Sequence, residues 1–118
     1  MARYTIYVAE GARKELSKLG PAAAKEILTQ IHKKLPEDPH AYGHPLTGEL
    51  AGYYRLRVAG YRVVYRVVDE KVWVLVLAAG KREEGNVDNI YGWLTGDLLT
   101  KRLAAILKQI EDEEDEQA

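Results

Sequence analysis

Three runs rich in valine and tyrosine follow one another in the middle of this chain, and only two short links separate them. The links are Ala59-Gly60 and Asp69-Glu70, and links of two residues typically join neighbouring antiparallel strands in hairpins. Because such a link leaves no room for a helix or a crossover, the three runs are predicted to form a β-meander. Its strands are expected near residues 53–58, 61–68 and 71–79.

The first two strands of the meander carry four arginines, within "GYYRLRVAGYRVVYRVV" at residues 52–68. A two-residue turn at Ala59-Gly60 puts Arg55, Arg57 and Arg62 on one face of the sheet. Like charges that face each other destabilise a strand pair, and neither strand carries an acidic residue. Guanidinium groups without an internal partner suit phosphate, so this face is predicted to bind an anion. The facing pairs in this register are Val58 with Tyr61, Arg57 with Arg62, Leu56 with Val63, and Arg55 with Val64.

The fourth arginine, Arg66, has a structural interpretation. In the predicted register it faces Trp73, and a guanidinium group over an indole ring forms a cation–π pair. Long arginine side chains also lie along apolar surface while their charged ends reach water. The same structural interpretation is the alternative for the other three arginines.

The segments before the meander complete a small α+β domain. "RYTIYVA" alternates apolar and polar residues, which predicts a first strand over residues 3–8. "EGARKELSKLG" and "PAAAKEILTQIHKKL" predict two helices that break at Gly20-Pro21 and cover one face of the sheet. The predicted fold is two N-terminal helices packed on a small, twisted, mainly antiparallel four-stranded sheet, followed by a C-terminal helix. The first strand is expected beside the last or the middle strand of the meander.

The C-terminal segment predicts an amphipathic helix that covers the other face of the sheet. In the predicted register, Val64, Leu75 and Leu77 share a face with the arginines, and that apolar area needs a cover. The chain is therefore divided into a main domain over residues 1–94 and an amphipathic helix with an acidic tail over residues 95–118. The apolar stripe of the helix is formed by Leu99, Leu103, Ile106, Leu107 and Ile110.

Composition narrows the classes of function. Residues 1–110 hold all 17 basic side chains and 12 of the 18 acidic ones, a net charge of +5, while "EDEEDE" in the tail holds the other six acids. A basic body favours an anionic partner. The chain has no cysteine, which excludes disulfides, thiolate metal sites and a cysteine nucleophile. No apolar run approaches the length of a membrane span, so a soluble, cytoplasmic protein without a membrane partner is expected.

The central block resembles the RelE family of toxin–antitoxin ribonucleases. Two of the motifs, a G-x-Y-R-x-R strand and a G-Y-R-x-x-Y strand, lie within "PLTGELAGYYRLRVAGYRVVYRVVDEKVWVLVLAAGKRE", and the third, a G-K-R-x-E ending, extends one residue further to Glu84. Their order and spacing after a strand and two helices carry the resemblance, which spans roughly residues 2–91. It implies a toxin that cleaves mRNA in the ribosomal A site without a metal or cofactor, and that a partner antitoxin neutralises.

The resemblance also implies roles for individual residues. Arg62 matches the phosphate-binding arginine of the family and Arg82 the arginine after the last strand, while Arg55 and Arg57 stand where well-known members have two lysines. Arg57, Arg62 and Arg82 are thereby candidate catalytic residues, and Arg55 and Lys81 are candidate RNA-binding residues. Such cleavage needs a proton acceptor for the attacking 2′-hydroxyl, positive charge for the transition state and a donor for the leaving 5′-oxygen.

The proton acceptor stays open. Arg57 has the matching position, but a guanidinium group remains protonated at working pH and is a poor base. Family members place a tyrosine shortly after the G-K-R-x-E motif, whereas this chain has Asp88 there and Tyr91 three residues later. Tyr91 is expected to substitute for it as a catalytic residue. The alternative bases are Glu83, Glu84 or a group of the ribosome.

Three functions remain open for such a chain. They are a ribosome-dependent endoribonuclease, a ParE-type toxin that poisons gyrase, and a module that acts with its antitoxin in a repressor complex on operator DNA. The presence together of Arg55, Arg57, Arg62 and Arg82 favours work on RNA phosphates over binding to gyrase. Trp93 is interpreted as a helix anchor or antitoxin contact, with base stacking as its alternative. His40 and His44 lack a third ligand at a convincing spacing, so no metal site is predicted.

Overall fold

The computed structural model describes residues 3–82 and 89–117, with the backbone only for residues 116 and 117. These residues form five strands and five α-helices, with 3₁₀ turns at Gly48–Leu50 and Asp69–Lys71. The strands are β1 (Thr5–Val8), β2 (His44–Pro45), β3 (Tyr54–Val58), β4 (Tyr61–Val68) and β5 (Trp73–Lys81). The helices are α1 (Glu10–Leu19), α2 (Pro21–Lys34), α3 (Pro39–Tyr42), α4 (Ile90–Trp93) and α5 (Gly96–Gln117).

The strands form one mixed sheet in the order β1-β5-β4-β3-β2. Strand β1 runs parallel to β5, as expected for a first strand placed beside the last, and the other pairs are antiparallel. The prediction of four strands was wrong, because His44 and Pro45 add a short edge strand beside β3. Two residues are too few to show any periodicity, so a Pro- and Gly-containing loop concealed this strand.

The β3–β4 hairpin has the predicted register. Val58 faces Tyr61, Arg57 faces Arg62 and Arg55 faces Val64 across a turn at Ala59-Gly60. Ala59 adopts a positive φ of 51°, as a tight hairpin turn between right-twisted strands requires. The prediction that three arginines share one face of this hairpin is thereby confirmed.

The β4–β5 link is longer than predicted. A 3₁₀ turn followed by Val72 with a φ of 58° delays the start of β5 to Trp73. The register therefore shifts by two residues, and Arg66 faces Leu75 instead of Trp73. The predicted Arg66–Trp73 pair was wrong, and the Arg66 guanidinium group lies 5.4 Å from the centre of the Tyr53 ring.

The sheet separates two apolar layers. Helices α1 and α2 cover one face with buried side chains that include Leu16, Ile27 and Ile31. The two helices have the predicted bounds because Gly20, at a φ of 97°, ends the first and Pro21 begins the second. On the other face, Val64, Leu75 and Leu77 are fully buried, as expected if α5 covers them.

Helix α5 packs on this second face through the predicted stripe, with one exception. Leu99, Ile106 and Ile110 are buried, whereas Leu107 is 38% exposed. At 3.6 residues per turn Leu107 lies about 70° from the centre of the stripe, so its inclusion in the stripe was wrong. Within the described residues, no helix is long and apolar enough to cross a membrane.

Candidate phosphate-binding site at one end of the sheet

The predicted site residues meet where the β3–β4 hairpin lies beside the end of β5. Arg57 faces Arg62 across the hairpin, and Arg62 in turn faces Gly80 of β5. The backbone N–H of Arg82 donates to the Gly60 carbonyl over 2.9 Å, which ties the chain after β5 to the hairpin turn. We call Arg55, Arg57, Arg62 and Arg82 the basic cluster.

Arg62 is the central member of the basic cluster. Burial lowers the pKa of its guanidinium group, and the nearby charges of Arg57, Arg55 and Arg82 lower it further, while Tyr91 acts in the opposite direction. Arg57, Arg55 and Arg82 are therefore close enough to repel Arg62. A bound anion would relieve this repulsion, since it would interact favourably with every member of the basic cluster.

Hydrogen bonds to the hairpin turn orient the Arg62 guanidinium group. Its Nη1 donates to the Tyr61 carbonyl over 2.9 Å and to the Ala59 carbonyl over 3.2 Å. Its Nε is buried and has no hydrogen-bond partner among the described residues. The turn thus holds the side chain in one direction.

Tyr91 joins the basic cluster from α4. The Arg82 guanidinium group lies 5.6 Å from the centre of the Tyr91 ring, within the range of a cation–π contact. The Tyr91 hydroxyl is buried and has no partner in the described part of the chain. Helix α4 can approach β5 this closely because Gly80 has no side chain, as a Cβ there would lie 3.1 Å from Ile90.

Lys81 lies beside the basic cluster without facing it. It pairs with Tyr61 and, like Tyr61, belongs to the opposite side of the sheet from Arg62. A cavity of about 280 Å³ is lined there by Lys81, Tyr61, Gly60 and Arg82. Four of the other five candidate residues therefore gather around Arg62, and Lys81 lines the adjoining surface. Glu83 and Glu84, the alternative bases, and Asp88 lie outside the described residues.

His40 and His44 do not form a pair. His40 is hydrogen-bonded through Nδ1 to the Tyr54 hydroxyl and through Nε2 to Asp69 Oδ1, at 2.9 Å each. Tyr4 also donates to Asp69 Oδ1 over 2.7 Å, so this group ties β1, α3 and the β4–β5 link together. Among the described residues, no three metal-binding side chains cluster.

The fold and the basic cluster together define a small α+β protein with a candidate binding site for phosphate groups. A family model described as the ParE toxin of type II toxin–antitoxin systems matches residues 6–85. The chain is 39% identical over 85 residues to the mRNA interferase toxin RelE of Escherichia coli K12, an alignment that covers 71% of this chain and 88% of RelE.

Solved structures show the same fold. The toxin–antitoxin complex RelBE2 from Mycobacterium tuberculosis contains a chain that is 34% identical, with a TM-score of 0.66 over 70% of this chain and 94% of that one. The isolated Escherichia coli RelE toxin is 35% identical, with a TM-score of 0.57 over 71% of this chain and 89% of RelE. The chain belongs to the RelE/ParE family of toxins from type II toxin–antitoxin systems.

Proposed function

We propose that this protein is a ribosome-dependent endoribonuclease that cleaves mRNA in the ribosomal A site and thereby inhibits translation. The observation that carries the proposal is the convergence of the basic cluster at one end of the sheet, where Arg57 faces Arg62 and the chain at Arg82 bonds to the hairpin turn. Such a cluster suits a substrate with closely spaced phosphates. The similarity to a relative named mRNA interferase toxin RelE supports RNA as that substrate.

In the proposed reaction, the 2′-hydroxyl attacks the neighbouring phosphate and the bond to the 5′-oxygen breaks. Negative charge builds on the phosphate oxygens in the transition state, and fixed cations stabilise it most when they need no rearrangement. Arg62, held by the turn carbonyls, and Arg82, held near Tyr91, are assigned to this charge. Arg55, Arg57 and Lys81 are assigned to binding the adjacent phosphates.

The candidates for the proton acceptor are Tyr91, Glu83, Glu84 and a group of the ribosome. Arg57 is exposed and remains a poor base. The pH dependence of cleavage on programmed ribosomes separates these choices: a carboxylate base gives activity that rises through mildly acidic pH, whereas a tyrosine gives a basic limb. A cleavage rate that does not change with pH would count against every candidate side chain of this protein as the base.

The proposed partners are a cognate antitoxin, the ribosome and mRNA, with operator DNA bound only through the antitoxin complex. The antitoxin follows from the family and from the relative solved as the RelBE2 toxin–antitoxin complex. A second candidate function is a ParE-type toxin that poisons gyrase, which the description of the matching family model favours. The ribonuclease function needs the basic cluster for cleavage of an RNA phosphodiester bond, whereas the gyrase-poisoning function involves no RNA cleavage.

Substitution of two cluster arginines tests the proposal. Arg62→Ala and Arg82→Ala should each reduce the cleavage rate on programmed ribosomes by about 100-fold or more and relieve growth arrest. Arg66→Ala is the matched control, because Arg66 lies on the same strand as Arg62 but over the Tyr53 ring. Mapping of mRNA 3′ ends should show cuts with the parent and the control only.

Two outcomes would refute the proposal. Growth arrest that persists in both variants would show that the basic cluster does not carry toxicity. Inhibition of gyrase supercoiling by the purified protein, without any cut in mRNA, would establish the ParE-type function instead.

A further inference from the structure

A cleft of about 420 Å³ lies along the edge of β5 that faces away from β4, around the side of the sheet from the basic cluster. Strand β1 pairs with β5 only as far as Val76, and beyond that residue the edge bonds to Glu15 of α1, to Arg102 of α5 and, at Lys81, to Asn89. The cleft lies between the C-terminal half of α1 and Trp93, above Ala79, Gly80 and Lys81. Its volume lies in the range of sites that hold small ligands.

The side chains around the cleft favour a ligand with both negative charge and a flat ring. Lys18 and Lys81 are exposed on its rim. Among the described residues that line the cleft, Glu15 is the one acid; Arg102 neutralises it at 2.7 and 2.8 Å, and it accepts a hydrogen bond from the Ala79 N–H. The described part of the rim is therefore net positive.

Trp93 forms the aromatic wall of the cleft. It is half-buried, and its ring packs over Gly80, where a Cβ would lie 3.2 Å from the ring atom Cζ2. The Arg102 guanidinium group lies 6.0 Å from the ring centre. Contacts on these sides hold the ring in place, and an indole held in this way is suited to stacking against a base.

The cleft and the basic cluster are adjacent. Gly80, beneath Trp93, faces Arg62 in the sheet, so one strand spacing separates the aromatic wall from the centre of the cluster. Lys81 lines both this cleft and the cavity that contains Arg82. This adjacency is the reason to consider one extended polynucleotide as the ligand of both the cluster and the cleft.

We propose that this cleft binds the nucleotide next to the scissile phosphate, with its base against Trp93 and its phosphate near Lys18 and Lys81. This proposal rests on the proposed function, which supplies single-stranded RNA as the substrate. It adds a subsite that gives the protein a preference at the flanking position, because the strength of stacking differs among bases.

The experiment uses the fact that the chain has two tryptophans. Trp73→Phe leaves Trp93 as the sole tryptophan, which is excited selectively over the eight tyrosines, and Trp93→Phe leaves Trp73, which packs against Tyr7 far along β5 from the cleft. Each protein is titrated with a seven-nucleotide 2′-O-methyl oligoribonucleotide, which cannot be cleaved by attack of a 2′-hydroxyl. Fluorescence of the Trp93-only protein should be quenched, and that of the Trp73-only protein should not change.

Lysine variants test the charged rim of the cleft. Lys18→Gln in the Trp93-only protein should weaken oligonucleotide binding several-fold and reduce the slope of log affinity against log salt by about 0.7, the value for one contact to a single-strand phosphate. Lys33→Gln on the exposed side of α2 is the matched control and should change neither quantity. In cleavage assays with mRNAs that vary at the flanking positions, Trp93→Leu should lose about tenfold in rate on the preferred base.

The outcomes separate this inference from the proposed function. Quenching of the Trp93-only protein by the oligonucleotide, in a protein that cuts no mRNA, would support the subsite and refute the ribonuclease function. Three results would overturn the subsite. They are cleavage of mRNA without quenching of Trp93, equal quenching of both single-tryptophan proteins, and quenching by an acidic peptide instead of the oligonucleotide.

Discussion

Replacement of Arg102 should loosen the C-terminal helix from the sheet. Arg102 of α5 forms two bonds to the Glu15 carboxylate of α1, at 2.7 and 2.8 Å, and donates to the Leu77 carbonyl of β5 at 2.8 Å. The side chains of Arg102 and Glu15 are only 18% and 16% exposed. One guanidinium group thus connects α5 to both the sheet and α1.

The expected cost follows from burial of this pair. Exposed ion pairs contribute about 0 to 1 kcal/mol, whereas removal of one partner of a buried pair costs about 3 to 5 kcal/mol. Arg102→Met keeps much of the side-chain volume but leaves the Glu15 carboxylate with the Ala79 N–H as a remaining donor, and it deprives the Leu77 carbonyl of its side-chain donor. Because the pair is mostly buried, we expect a loss of about 2 to 4 kcal/mol, a large part of the 5 to 15 kcal/mol typical of a domain.

Urea denaturation measures this loss, and amide hydrogen exchange locates it. Exchange should accelerate most in α5, since α1 and β5 keep their other contacts. Lys101→Met is the matched control, because Lys101 is the adjacent residue and its pair with Asp97 is about three-quarters exposed on both sides. The double variant Glu15→Gln with Arg102→Met should recover part of the loss, as the unpaired carboxylate is gone. A loss for Arg102→Met no larger than that for Lys101→Met would refute the assigned role of the pair.

Three further predictions concern pH and the C-terminal helix. Hydrogen bonds from His40 and Tyr4 lower the pKa of Asp69, so the contribution of Asp69 to stability should be present above about pH 4 and fade as the pH falls. Asp69→Asn should therefore reduce the change in melting temperature between about pH 5 and pH 3, and an unchanged pH profile would contradict this prediction. Burial raises the pKa of Tyr65, so stability should fall as the pH rises above about 10. Tyr65→Phe should lower the free energy of unfolding by about 1 kcal/mol at neutral pH, but its urea midpoint should fall less steeply at alkaline pH. Truncation after Gly96 should lower solubility, melting temperature and antitoxin affinity because it uncovers one face of the sheet, whereas a truncated protein that retains all three would show that the helix is dispensable.

Much of the site was predictable because its geometry is local. The Ala59-Gly60 turn determines which residues of the hairpin face each other, and the two-residue period of a strand then puts Arg57 and Arg62 on one face. The bounds of α1 and α2 follow in the same way from Gly20 and Pro21. Each of these features depends on residues close together in the chain.

The features that the sequence did not predict depend on residues far apart in the chain or on the exact length of the link between two strands. The two-residue β2 has no period of its own, and two extra residues between β4 and β5 moved Arg66 from Trp73 to Leu75. Leu107 fits a helical pattern, but only the position of α5 on the sheet decides that it faces water.

By itself, the sequence determined the hairpin, its register and the face that carries three arginines, because neighbouring residues and the periods of helices and strands suffice for these. Only the tertiary structure decided that Glu15 meets Arg102, 87 residues away, and that Lys18 and Trp93 border one cleft. The physical reason is that such contacts depend on how α1, α4 and α5 pack around β5, and packing of distant segments is a property of the whole folded chain.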